Sequence, residues 1–120
     1  MWMGAEMHRR LTGAASLAVA VACTTSHGPA VAITATDDSC DLAGTTFVAG
    51  TVHFAVTNSG RSSTDVAVLD GTHVLGQITG VRAGKRQMLS VRLATGVYEV
   101  SCMPSGAKGS IRAVFTVLAP

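Results

Sequence analysis

Three cysteines, four histidines and a handful of aspartates are the residues of this 120-residue chain whose types could form a covalent link or hold a metal. Cys40 stands in the phrase Thr36-Asp37-Asp38-Ser39-Cys40-Asp41, and Cys102 closes Gly96-Val97-Tyr98-Glu99-Val100-Ser101-Cys102. Two chemistries suit that pair. Oxidised, the cysteines form a disulfide. Reduced, they offer soft thiolates to Cu(I), with Met103 or His73 as a further ligand. An exported β domain with one core-facing cysteine favours the disulfide, and spacing alone does not decide.

The other groups carry less. Asp37, Asp38 and Asp41 flank Cys40. Convergent carboxylates bind Ca²⁺ or Fe³⁺, but such runs more often cap a turn through hydrogen bonds to the backbone. His27 falls in a polar stretch and His53 on the outer face of a strand, so both read as surface residues. A blue-copper centre needs a thiolate, two imidazoles and usually a thioether. The chain has no histidine after His73, so the arrangement of cysteine, loop and histidine near the last strands cannot be built. No G-x-S-x-G elbow or histidine paired with a nucleophile motif is present, and the chain is not read as an enzyme.

The elements that must position these residues read as strands. After Pro29, short apolar-alternating runs recur about every ten residues, separated by glycine, asparagine and aspartate, with no sustained helical period. Val31, Ile33 and Ala35 share one face of the first strand. Residues 37–44 read as a loop, and a second run starts near Phe47. Within residues 51–57, Val52, Phe54 and Val56 face the core, with His53 and Ala55 outward, before Asn58-Ser59-Gly60 turns the chain. Asp70-Gly71 is a hairpin turn between residues 66–69 and 74–78, with His73 close to its tip. Leu89, Val91 and Leu93 point inward, as do Tyr98, Val100 and Cys102, and then Ile111, Ala113, Phe115 and Val117. Seven to eight strands are expected. Arg82, Lys85 and Arg86 around Gly84 read as a solvated turn.

The N-terminus carries an export pattern: His8-Arg9-Arg10, an uncharged stretch over residues 11–22, and Ala20-Val21-Ala22 ahead of Cys23. As a helix that stretch spans only about 18 Å, against roughly 30 Å of membrane hydrocarbon. Residues 1–22 are therefore expected to be a signal peptide, Cys23 a lipidated first residue, and residues 23–30 a polar tether. The alternative is plain secretion with one odd thiol. About a hundred residues remain, enough for one domain over residues 31–120. Its seven basic and six acidic residues give no basic footprint for a nucleic acid.

Four phrases in order carry a resemblance. They are Thr36-Asp37-Asp38-Ser39-Cys40, Ala49-Gly50-Thr51-Val52-His53-Phe54-Ala55-Val56-Thr57-Asn58, Val68-Leu69-Asp70-Gly71, and the segment ending at Cys102. Together, over roughly residues 31–117, the chain resembles the cupredoxin-like domain of EfeO-type iron-uptake lipoproteins. The resemblance implies an all-β, cupredoxin-like Greek-key β-sandwich, anchored by lipid to the outer face of the cell membrane and serving a metal-uptake membrane complex. It also implies copper or iron as the ion bound or presented, with Cys40, Asp65 and Cys102 as ligands. His73 and Met103 complete the candidate set from the residues themselves. Relatives usually carry an imelysin-like helical domain, so a stand-alone member is expected. Where they commonly have glutamates after the hairpin, this chain has Gln77, which weakens a site for a hard cation. A structural or protein-interaction sandwich held by a disulfide is the alternative function. An immunoglobulin-like domain fits less well, since Trp2 lies in the signal and Tyr98 precedes Cys102 by four positions rather than two.

Overall fold

The computed structural model describes residues 30–120; the expected signal peptide over residues 1–22, Cys23 and the rest of the expected tether before Ala30 lie outside them. Nine strands follow in order: β1 (Val31–Ala35), β2 (Cys40–Leu42), β3 (Thr46–Val48), β4 (Gly50–Asn58), β5 (Thr64–Asp70), β6 (His73–Val81), β7 (Arg86–Leu93), β8 (Gly96–Pro104) and β9 (Ile111–Leu118). One sheet has the order β2-β1-β4-β7 and the other β3-β9-β8-β5-β6. Neighbours are antiparallel except β1 with β4 and β3 with β9, which run parallel. The expectation of seven to eight strands is short because part of the stretch read as a loop, Cys40–Leu42, pairs with the end of β1 as β2. Cys40-Asp41-Leu42 alternates only once, too short a run from which a strand could be read.

The inward faces are those the alternation predicts. Phe54, Val56, Val66, Val100, Cys102 and Val117 are all fully buried. Phe47, Phe54 and Tyr98 surround Phe115, with ring centroids 5.6, 6.0 and 5.7 Å away. Three phenylalanines and one tyrosine are the aromatic residues among those described, so their aromatic area is concentrated at one point between the sheets. There the edge-to-face and stacked pairs add to the area they bury. Tyr98 also donates its hydroxyl to the Ala94 carbonyl at 2.7 Å. That is the backbone bond of a tyrosine corner, formed here although the tyrosine stands four residues before the cysteine. One prediction of face differs: Ala55, expected outward, is buried. It lies on an inner strand between Ala32 and Met88, where a methyl group is shadowed by its neighbours.

One end of the sandwich is tied by a buried amide. Asn58 closes β4, and its Nδ2 donates to the carbonyls of Ser62 and Val81, each at 2.8 Å. Its Oδ1 accepts the Gly60 N–H at 2.8 Å. Its own backbone pairs with Lys85 and Gly84. Asn58 thus joins the 58–63 loop to the end of β6 and to the turn at Arg82-Ala83-Gly84-Lys85, which the Lys85 N–H closes onto the Arg82 carbonyl. A buried polar side chain is tolerated when each group is paired, and its partners become unpaired if it is removed. Thr64 is the contrast: its buried hydroxyl has no partner among the described residues.

Asn58→Ala is therefore expected to cost about 2–3 kcal/mol, read as a lowered urea midpoint at unchanged slope. Thr64→Val, which removes an unpaired hydroxyl at constant shape, is expected to stay within about 1 kcal/mol of the parent or to exceed it. Equal losses in the two variants would contradict this account of the buried polar groups.

Candidate functional site

Cys40 and Cys102 are joined as a disulfide, with Cα atoms 5.7 Å apart. Cys40 opens β2 in the first sheet and Cys102 lies on β8 in the second, so the bond crosses the sandwich inside the core cluster. Of the two chemistries open to the pair, the structure has the cross-link. Neither sulfur is a thiolate ligand in this state.

The metal set expected from sequence, Cys40, Asp65, His73, Cys102 and Met103, does not converge. Strand alternation separates the neighbours Cys102 and Met103: the first is fully buried, and the second is 43% exposed on the opposite face. Asp65 stands directly across from Met103 in the β5–β8 ladder, so these two do meet, on the outer face. The carboxylate already has a structural task. Thr64 opposes Val81 and Val66 opposes Ile78, leaving Asp65 against both Thr79 and Gly80 in a β-bulge. Gly80 takes a φ of 67°, a conformation open to glycine, and its N–H donates to Asp65 Oδ1 at 2.8 Å. His73 opposes Asp70 at the hairpin tip, and at about 3.3 Å per residue that end lies roughly 16 Å from Asp65 along the strand. Among the described residues, no three of the His, Cys, Asp and Glu side chains come together as ligands.

In the acidic run beside Cys40, Asp37 and the preceding Thr36 act as caps. Asp37 accepts the N–H groups of Arg61 and Ser62 at 3.1 Å, fastening the start of the 36–40 connection to the 58–63 loop. Thr36 Oγ1 accepts the N–H groups of Asp38 and Ser39 at 3.1 and 2.9 Å. Asp41 receives only a long contact from the Ser39 hydroxyl, at 3.4 Å. His53 is half-buried on the outer face of β4, and its Nδ1 lies 2.7 Å from Ser90 Oγ across the β4–β7 ladder.

Asp65 and Met103 border a shallow groove of about 350 Å³ on the outer face of the five-stranded sheet, together with Ala67, Gln77, Thr79, Ser101 and Arg112. Arg112 Nη1 pairs with Glu99 Oε1 at 2.9 Å beside it. Both side chains are partly solvated, so the pair orients the arginine more than it stabilises the fold. Sequence reading passed over this groove, although its signal was present: Glu99, Ser101 and Met103 alternate with core residues on β8, as Arg112 does on β9. One carboxylate already bonded to the backbone, one thioether and neutral amide and hydroxyl groups suit neither a soft nor a hard ion. The residues lining the groove do not fit a copper or iron centre.

These features define the chain as a cupredoxin-like β-sandwich of nine strands with an inter-sheet disulfide. The fold is similar to that of dithionite-reduced auracyanin from the photosynthetic bacterium Roseiflexus castenholzii. The TM-score is 0.61 at 14% sequence identity, over 78% of this chain and 99% of that one. At that identity the likeness is one of fold. No protein-family model and no curated protein matches the chain.

Tandem mass spectrometry of the unreduced, alkylated protein is expected to recover Cys40 and Cys102 in one linked peptide pair; alkylated Cys40 or Cys102 would overturn the assignment. A loop closed over a sequence separation of 62 contributes about 4 kcal/mol in the chain-entropy account. The Cys40→Ala, Cys102→Ala double variant should lose stability of that order in chemical denaturation.

Proposed function

We propose that this chain is an exported, lipid-anchored module of the cell envelope that works by binding a protein partner, without catalysing a reaction and without a metal held by its cysteines. The observation that carries the reading is the cross-link. The two residues best suited to hold a soft metal are spent on each other inside the core, and the other candidate ligands are divided between an outer face and a hairpin tip. What remains is a small, rigid, disulfide-held sandwich, the kind of unit that presents surfaces.

The sequence supplies the placement. Cys23 after Ala20-Val21-Ala22 suits lipidation, and Thr24-Thr25-Ser26-His27-Gly28-Pro29 suits a polar tether between membrane and domain. Two acyl chains on one cysteine hold a protein stably at a bilayer. The partner that the EfeO-type resemblance suggests is a component of a metal-uptake membrane complex. The domain would be a docking element of that complex, and copper or iron would be handled by another member.

Two measurements test this. Native mass spectrometry of the unreduced protein, with Cu(I), Cu(II) and Fe(III) added in turn, should give no stoichiometric adduct, together with no free thiol at Cys40 or Cys102. An adduct that disappears on Cys102→Ser would replace partner binding with metal handling as the function. Cell fractionation is expected to find the protein with the membrane and its Cys23→Ala variant released from it; equal release of both would reduce the anchor to plain secretion.

A further inference from the structure

Each sheet of an open sandwich ends in two edge strands whose outward N–H and C=O groups can template another strand. Here the edges are β2 and β7 in one sheet and β3 and β6 in the other. β2 and β3 are only three residues long, and β7 carries Arg86 and Arg92. Short length and charge are two of the devices by which proteins keep edges from pairing, and bulges are a third. β6 has neither of the first two, and its two bulges leave Gly76, Gln77 and Ile78 between them in regular register. It is nine residues long, His73-Val74-Leu75-Gly76-Gln77-Ile78-Thr79-Gly80-Val81, with no carboxylate, lysine, arginine or proline, and its ladder is with β5 alone. Val74 and Leu75 are exposed on it, at 48% and 38%.

The flanking charges indicate what can pair with it. Asp70 stands before the hairpin turn, and Arg82, Lys85 and Arg86 follow the other end, all exposed. A second β6 laid parallel would set acid beside acid and base beside base. Laid antiparallel, it brings the acidic end of each copy to the basic end of the other, twice over. The strand is also close to symmetric about its middle. Leu75 is an extra residue between the Val68–Gly76 and Leu69–Val74 pairs, and the second bulge lies at Thr79 and Gly80. Between them Gly76, Gln77 and Ile78 keep a regular ladder. Gln77 at the centre is exposed, and its amide is both donor and acceptor, so it can pair with its own image.

We propose that β6 is a self-association edge: two copies of the chain pair antiparallel through β6 about a twofold axis at Gln77, joining their five-stranded sheets into one. The interface is isologous and closed, because each copy uses the same strand once. Backbone hydrogen bonds supply the attraction and the charged ends fix the direction. The pairing uses the edge of β6 only, and stands whichever external partner or metal the domain serves.

The test is sedimentation equilibrium of the exported protein carrying Cys23→Ala, which removes both the lipid and any intermolecular disulfide through that residue. A monomer–dimer equilibrium that weakens with added salt is expected. Gln77→Lys, placing two like charges across the axis, should raise the dimer dissociation constant about fivefold or more with the thermal melt of the monomer unchanged. Asp70→Lys should weaken the dimer in the same sense. Amide hydrogen exchange in β6 should slow as the dimer forms. A protein that stays monomeric at millimolar concentration, or a dimer indifferent to Gln77→Lys, would sink the proposal. So would β6 amides already protected in the monomer, which would mean that another segment of the chain covers the edge.

Discussion

The Cys40–Cys102 bond is the interaction on which the arrangement of this domain turns. Its core is built chiefly from valine, with the few aromatic rings gathered around Phe115, so burial contributes less per residue than in a core rich in large side chains. A covalent tie between β2 and β8 compensates by restricting the unfolded chain and by holding the two sheets to each other. The polar bonds near it act in the same direction. Asp37, two residues after β1, is fastened to Arg61 and Ser62, and Asn58 binds that same loop to the end of β6. Ser59 donates to the Ala35 carbonyl and Ser105 to that of Ser63. Connections far apart in sequence are thus held as one unit at the end of the sandwich where β1, β4 and β6 finish.

That constraint has a chemical consequence. A disulfide in the core removes two ionisable thiols from the molecule, and the strand period removes Met103 from the neighbourhood of Cys102. Adjacent residues of a strand are the worst placed to share a ligand, since they face opposite solvents. A pair such as Cys-Met can suggest a soft-metal site on paper while the pleat makes one residue core and the other surface. Asp65 and Met103, thirty-eight positions apart, are by contrast brought face to face by the β5–β8 register. They meet beside neutral groups, and the carboxylate is occupied in holding the Gly80 bulge.

The same physics decides what could be read from the sequence. The inward faces of β4, β7, β8 and β9 were legible because alternation is a local signal and those runs have it. The hairpin at Asp70-Gly71 was legible because turn chemistry is local too, and Gly71 indeed takes a φ of 62°. β2 was not, being too short for a period to be seen; it exists because β1 offers it an edge and Cys40 a tether. Asn58 was read as a turn residue, and its position in Asn-Ser-Gly justifies that. Its burial depends on Val81, twenty-three residues on, which no local pattern announces. Asp37 was read as a turn cap, and it does cap, but the loop it holds belongs to another connection. The inward direction of Cys102 and its disulfide with Cys40 were both legible, the second from the exported setting; spacing alone could not give it, because the bond depends on the distance to Cys40 across the sandwich.

Gln77 connects the chemistry of metal ligation to the form of the sheet. Glutamates at the exposed positions of β6 are the alternative to the neutral residues found there. There they would do two things at once, offering oxygen ligands to a hard cation and placing negative charge along an exposed edge. Neutral residues through β6 remove both effects together. A strand without carboxylates does not attract a cation, and it does not repel a second copy of itself. On an edge strand a ligand and a gatekeeper are the same residue, so the neutral side chains of β6 bear on cation binding and on strand pairing together.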